Sequence, residues 1–128
     1  MPHLILAGKM DLGAAAGVLD STVHRWGRAV LKSENRWVRS DGAALLVEGV
    51  VVEFSRPLHP VALVAPHHGD TIIRLWSPVS VERTDAVQRW LAIIAATLHG
   101  AGFGRFKGSN IAERLWQDLL NQYASSSS

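Results

Sequence analysis

The chain contains no cysteine. That absence excludes a disulfide framework, a thiol nucleophile, a thiolate zinc site and an iron–sulfur cluster, and leaves His, Asp and Glu as the side chains able to hold a metal. Long apolar runs are missing too. The longest stretch without Asp, Glu, Lys or Arg, Trp90 to Gly104, is 15 residues and broken by glycine, against the roughly 20 that a bilayer-spanning helix needs. No basic segment precedes the apolar start His3-Leu4-Ile5-Leu6-Ala7, so neither a signal peptide nor a membrane association is expected, and the expected location is cytoplasmic. Phenylalanine and tyrosine are scarce, three and one among 128 residues. Any aromatic recognition surface must therefore draw on the five tryptophans.

What is present suits one folded domain. The chain is 48% hydrophobic and 19% charged, with a mean hydropathy of +0.11. It is too apolar for disorder and slightly apolar for a solitary monomer, which points to a homodimer. Residues 1–124 are expected to form a single α+β domain and Ser125–Ser128 a flexible tail. Net charge is only +2, so a general polyanion-binding surface is not implied. Its distribution is uneven: between His24 and Arg39, five cations stand against Glu34 alone.

Periodicity supplies the elements. His3 to Lys9 reads as a strand, and Asp11 caps a short helix of small residues to Leu19. From Thr22 to Trp76 the pattern is strand-like, with segments near 22–32, 35–39, 43–55, 60–65 and 71–77 separated by turn-forming residues. Leu45 to Phe54 is apolar at both parities, the signature of a central strand buried on both faces. After Ser80 or Thr84 the period becomes helical: Val87, Trp90, Leu91, Ile94 and Leu98 form one stripe, which leaves Glu82, Asp85 and Arg89 wet. Gly100 or Gly102 ends that helix. A last helix is expected from Asn110, capped reciprocally with Glu113, its apolar face formed by Ala112, Leu115, Trp116, Leu119 and Tyr123. The expected fold is an antiparallel sheet of five or six strands, two C-terminal helices packed on one face and a short N-terminal helix at an edge.

Each tryptophan follows an arginine by one or two positions. The segments Arg25-Trp26-Gly27-Arg28 and Arg36-Trp37-Val38-Arg39 flank a turn and can lie opposite one another on paired strands. Arg25, Trp26, Arg28, Arg36, Trp37 and Arg39 then form a binding face for a protein partner or, through stacking and phosphate contacts, for nucleic acid. The competing reading places Trp26 and Trp37 under the helices, with the arginines along the sheet rim. Protein is the favoured partner, because Trp and Arg are enriched in interface hot spots and the net charge is small.

An alternative site is the glycine-rich stretch 100–110, where Arg105, Lys107, Gly108, Ser109 and Asn110 run into the expected helix N-terminus and can receive a phosphate or carboxylate, as a small-molecule site or an enzyme would require. The spacing fits neither a P-loop nor a dinucleotide fingerprint, and a plain connector is the simpler account. His67-His68-Gly69-Asp70 reads as a tight turn with Gly69 at positive φ. His59 lies too far along the intervening strand to share a metal with His67, so no metal is expected unless a dimer gathers His67, His68 and Asp70. Glu48 and Glu53 fall on opposite strand faces unless Gly49 forms a bulge, and either can instead pair with an arginine such as Arg74. No serine occupies a nucleophile elbow. Nothing in the sequence assigns a catalytic activity or a cofactor.

Overall fold

Alternation of exposure along β4 (Leu45–Glu53) sets the architecture: Leu45, Val47, Gly49 and Val51 are buried, whereas Leu46, Glu48, Val50 and Val52 are only half-buried. One face of this strand is covered and the other is not, as the twofold side-chain period of a strand dictates. The computed structural model describes residues 1–126, with side chains through Gln122. The remaining strands are β1 (His3–Leu6), β2 (His24–Trp26), β3 (Ala29–Val38), β5 (Arg56–Leu58), β6 (Val61–His67), β7 (Asp70–Leu75) and β8 (Phe106–Ser109). Their order in the single antiparallel sheet is β2-β3-β4-β6-β7-β1-β8, with β5 pairing the far end of β4. The helices of the described residues pack on the inner face: α1 (Leu12–Val18), α2 (Asp85–Gly100) and α3 (Gln117–Ser126), the last preceded by a 3-10 turn at Glu113–Leu115. Of the expected tail, Ser125 and Ser126 close α3, and Ser127–Ser128 lie outside the described residues.

The α+β class and antiparallel sheet stand as expected; two C-terminal helices are present, the second starting at Gln117 rather than Asn110, and the short N-terminal helix matches only roughly, since it packs on β3, β4 and α2 rather than at an edge. The Asp11 carboxylate caps α1 by accepting from Ala14 N at 3.1 Å, and Thr84 caps α2 through Val87 N. The core is built where the α2 stripe meets the inner sheet positions: Val87, Trp90, Leu91, Ile94 and Leu98 are buried with Leu4, Leu6, Leu31, Leu45, Val47, Val64 and Ile73. Trp90 Nε1 donates to Ser33 Oγ at 3.1 Å, which satisfies the one polar group of an otherwise buried indole.

Eight strands among the described residues replace the expected five or six: Arg56-Pro57-Leu58, expected as a break, pairs back onto β4 as β5, and three further local changes act together. Residues 22–32 are two strands, because Gly27 at φ +59° makes a two-residue turn with Arg28. Ser33-Glu34-Asn35 does not end a strand: the β3–β4 register shifts between Ser33 and Arg36, a bulge, and β3 continues to Val38. Residues 106–109 form β8 against β1 rather than a loop. Asn110 therefore caps no helix; its side chain ties the N-terminal segment, accepting from His3 N and donating to Met1 O, both at 2.8 Å.

Arg89, expected to be wet, is 7% exposed. It donates to both carboxylate oxygens of Asp118 at 2.6 and 2.9 Å and to Leu115 O, and its guanidinium lies 5.7 Å from the centroid of the Trp26 ring. The helical stripe gives its angular position on α2, but Asp118 at the start of α3 and Trp26 on β2 supply the cover.

Candidate functional site

The uncovered side of the sheet is the most unusual surface of the molecule. In-register neighbours run across five strands as Trp37, Leu46, Leu63, Arg74 and His3, and a second row runs Ala65, Ile72 and Ile5. With Val30, Val50, Val52 and Val61 these give nine aliphatic side chains at outward positions, each half-buried and none belonging to the core cluster. An antiparallel sheet with one solvated face ordinarily alternates apolar and polar residues. Here the solvated positions are largely Val, Leu and Ile. The expectation that β4 is buried on both faces is corrected: within the described residues only its inner face is covered, because the helices lie on that side.

Polar groups interrupt the aliphatic ones on the outer face: Arg25 is opposite Val30 and Lys32 opposite Val50, and His3, Trp37, Glu48 and Arg74 share the same side. Trp37 is 60% exposed, and its Nε1 donates to Glu48 Oε2 at 3.3 Å. Arg74 donates to Leu75 O at 3.2 Å and approaches Met1 Sδ. Among the described residues neither Glu48 nor Arg74 forms an ion pair, so the suggested Glu48–Arg74 pairing does not occur within the chain. At the far margin Lys107 meets Asp70 at 2.6 Å. The Lys107 ammonium, and then the Gly8 N–H, hold the Asp70 carboxyl below the ordinary carboxylate range.

The six residues proposed as an Arg/Trp face are not gathered into one. Arg25 to Trp26 pair with the start of β3, and Arg36 to Val38 pair with β4, so the two segments are not opposite one another. Trp26 points to the inner face beneath Arg89, whereas Trp37 points outward. The pattern of alternation fails because the Gly27-Arg28 turn and the β3 bulge each reset it. Arg25 and Arg28 are exposed on and beside the turn, Arg39 pairs with Asp41 at 3.1 Å, and Arg36 bonds Glu34 O at 2.7 Å. Arg36 and Trp37 do share an open depression of about 500 Å³ with Ser21, Lys32, Glu34 and Asn35.

The glycine-rich stretch has its polar side chains in use except that of Arg105. Ser109 Oγ donates to His3 O and accepts from Ile111 N, Asn110 is spent on the N-terminal segment, Lys107 holds Asp70, and Gly108 lies in β8 opposite Ile5. Arg105 is exposed, and its carbonyl accepts from Ala7 N at 2.8 Å. No helix starts at Asn110, so the dipole that was to attract an anion is not there.

His68 at φ +48° and Gly69 at φ +81° form the turn between β6 and β7, with the His67 and His68 rings in edge contact. Asp70 is engaged elsewhere, and among the described residues no group of three or more His, Asp or Glu is placed to hold a metal ion. Glu48 and Glu53 stay at opposite parities. The bulge is on β3, and the space beside Gly49 is taken by Trp90. His24, Asp20 and Ser33 border a cleft against α2 of about 20 Å³, room for about one water and no substrate.

Sequence reasoning passed over the aliphatic face even though its signal was visible, in a β4 segment apolar at both parities. It also passed over the Arg89–Asp118–Trp26 cluster, which no spacing rule announces. Compared with protein-family models, with curated proteins and with solved structures, the chain matches none, and the functional reading rests on its own surface.

Proposed function

We propose that this protein is a non-enzymatic interaction module that binds protein through the outer face of its sheet, with Trp37 as an aromatic anchor at one margin. The observation that carries this is the aliphatic row at solvent positions, Leu46, Leu63, Ile72 and Ile5 above all. Such a surface gains from being desolvated, about 25 cal/mol per Å² of apolar area. Nucleic acid is a poorer match. Aliphatic side chains do not stack on bases, and the cations of the face, Arg25, Lys32, Arg74 and the already paired Lys107, are dispersed among them.

The test compares wild type with Trp37→Ala and Leu63→Lys as immobilised baits, alongside titration with a single-stranded oligonucleotide at low and high salt. Protein binding lost in both variants while their melts stay near wild type supports the reading. An unchanged set of bound proteins, or salt-sensitive oligonucleotide binding that dominates, refutes it.

A further inference from the structure

Resting on that reading, we infer that the occupant of the outer sheet face is a second copy of this chain, docked face to face about a twofold axis parallel to β6. Area is the first argument. Seven strands at about 4.8 Å spacing and some six residues long present about 600 Å². Including Trp37 and the long side chains at the margin, the face approaches the roughly 800 Å² per partner of a stable interface.

Charge complementarity is the second. Glu48 and Arg74 both point outward and both lack an ionic partner among the described residues. They flank β6 on opposite sides: Glu48 is opposite Val61, and Arg74 is opposite Leu63. A twofold axis along β6 lays β4 of one copy over β7 of the other. Glu48 then falls one same-face step, about 7 Å along the strand, from Arg74 of the second copy. An arginine side chain spans that offset, and symmetry makes the pair twice. Between the two pairs, Val61, Leu63 and Ala65 on β6 of each copy meet their own symmetry mates across the axis, with the sheets about 10 Å apart as in a sandwich.

The geometry yields a complementation test. Wild type, Leu63→Lys, Glu48→Arg and Arg74→Glu are compared by sedimentation equilibrium, with circular dichroism confirming that each is folded and a hydrophobic dye reporting apolar surface. Wild type is expected to be dimeric. Leu63→Lys and both charge variants are expected to dissociate at least about 10-fold more readily, since like charges oppose one another in each homodimer. An equimolar mixture of Glu48→Arg and Arg74→Glu is expected to dimerise again. In the mixed dimer the arginine introduced at position 48 of one copy meets the glutamate introduced at position 74 of the other, and at the symmetry-related contact the native Glu48 meets the native Arg74.

A dimer indifferent to all three substitutions overturns the assignment of this face, and failure of the mixture to recover overturns the axis. A monomeric wild type overturns the second copy as occupant. In that case dye binding that Leu63→Lys abolishes leaves the proposed protein-binding face standing, whereas dye binding that ignores it removes both.

Discussion

Replacing Gly49 by alanine tests whether Trp90 is seated against β4 as described. A Cβ at position 49 would stand 2.4 Å from Trp90 Cζ2, 2.5 Å from Cε2 and 3.0 Å from Cη2, whereas non-bonded carbons rest at about 3.5–4.0 Å. The indole must retreat by about 1 Å, but it is 1% exposed and tied to Ser33. Overpacking of this kind costs about 1–3 kcal/mol, and a strained or broken Ser33 bond adds about 1. Exchanging glycine for alanine in a strand returns about 0.5–1 kcal/mol. The net expectation is a loss of about 1–3 kcal/mol, read as a lower urea midpoint at unchanged slope. Trp90→Leu alone is expected to cost a similar amount through the space it leaves. The double variant decides the matter: with the indole gone, Gly49→Ala should be neutral or slightly stabilising. The pair is then non-additive by about 1 kcal/mol or more. A Gly49→Ala variant within about 0.5 kcal/mol of wild type, or simple additivity, would falsify the packing.

Other expectations follow from the same contacts. The β4–β5 turn holds Phe54 at φ +53° and Ser55 at φ +60°, positions that favour Asn-Gly, so Phe54→Asn with Ser55→Gly should raise stability by about 1–3 kcal/mol in thermal melts. Trp26→Ala should destabilise by about 1–3 kcal/mol, since the side chain is half-buried under Arg89, whereas Trp37→Ala should stay within about 0.5 kcal/mol of wild type; melts of both compare them directly. Asp118→Asn leaves Arg89 without its carboxylate and should cost about 1–2 kcal/mol. Because Asp118 is largely exposed, water moderates the loss, and Arg89→Met should be nearer neutral by chemical denaturation. The Asp70 carboxyl titrates below its ordinary value through Lys107 and Gly8. Its contribution is therefore complete above the unfolded pKa and declines as pH falls through the folded one. Asp70→Asn should be less stable at neutral pH and lose less on acidification below about pH 4, followed as melting temperature against pH.

Legibility tracked the range of the interactions. The α2 stripe, the Asp11 cap and the Gly69 turn are local, and each was evident from neighbouring residues. The β8 strand was not: its pairing partner, β1, lies about a hundred residues earlier, and Phe106-Lys107-Gly108-Ser109 carries no strand pattern strong enough to announce it. Arg25 to Arg39 misled because two small irregularities, a two-residue turn and a bulge, reverse the facing of side chains that strict alternation would align. Arg89 shows a different limit. Helical period places a residue on a face, but whether that face is wet depends on what another segment brings over it.

The position of β1 has a consequence for how the molecule is made. Its two neighbours in the sheet are residues 70–75 and 106–109, so β1 is synthesised well before either strand it pairs with. The hairpins from β2 through β7 close over short loops and can assemble early, whereas β1 must be captured late, across a large loop whose closure is entropically costly. During that interval Leu4 and Leu6 are exposed. The slow step of folding, and the window for misassociation, should therefore belong to the arrival of the N-terminal strand rather than to the central hairpins.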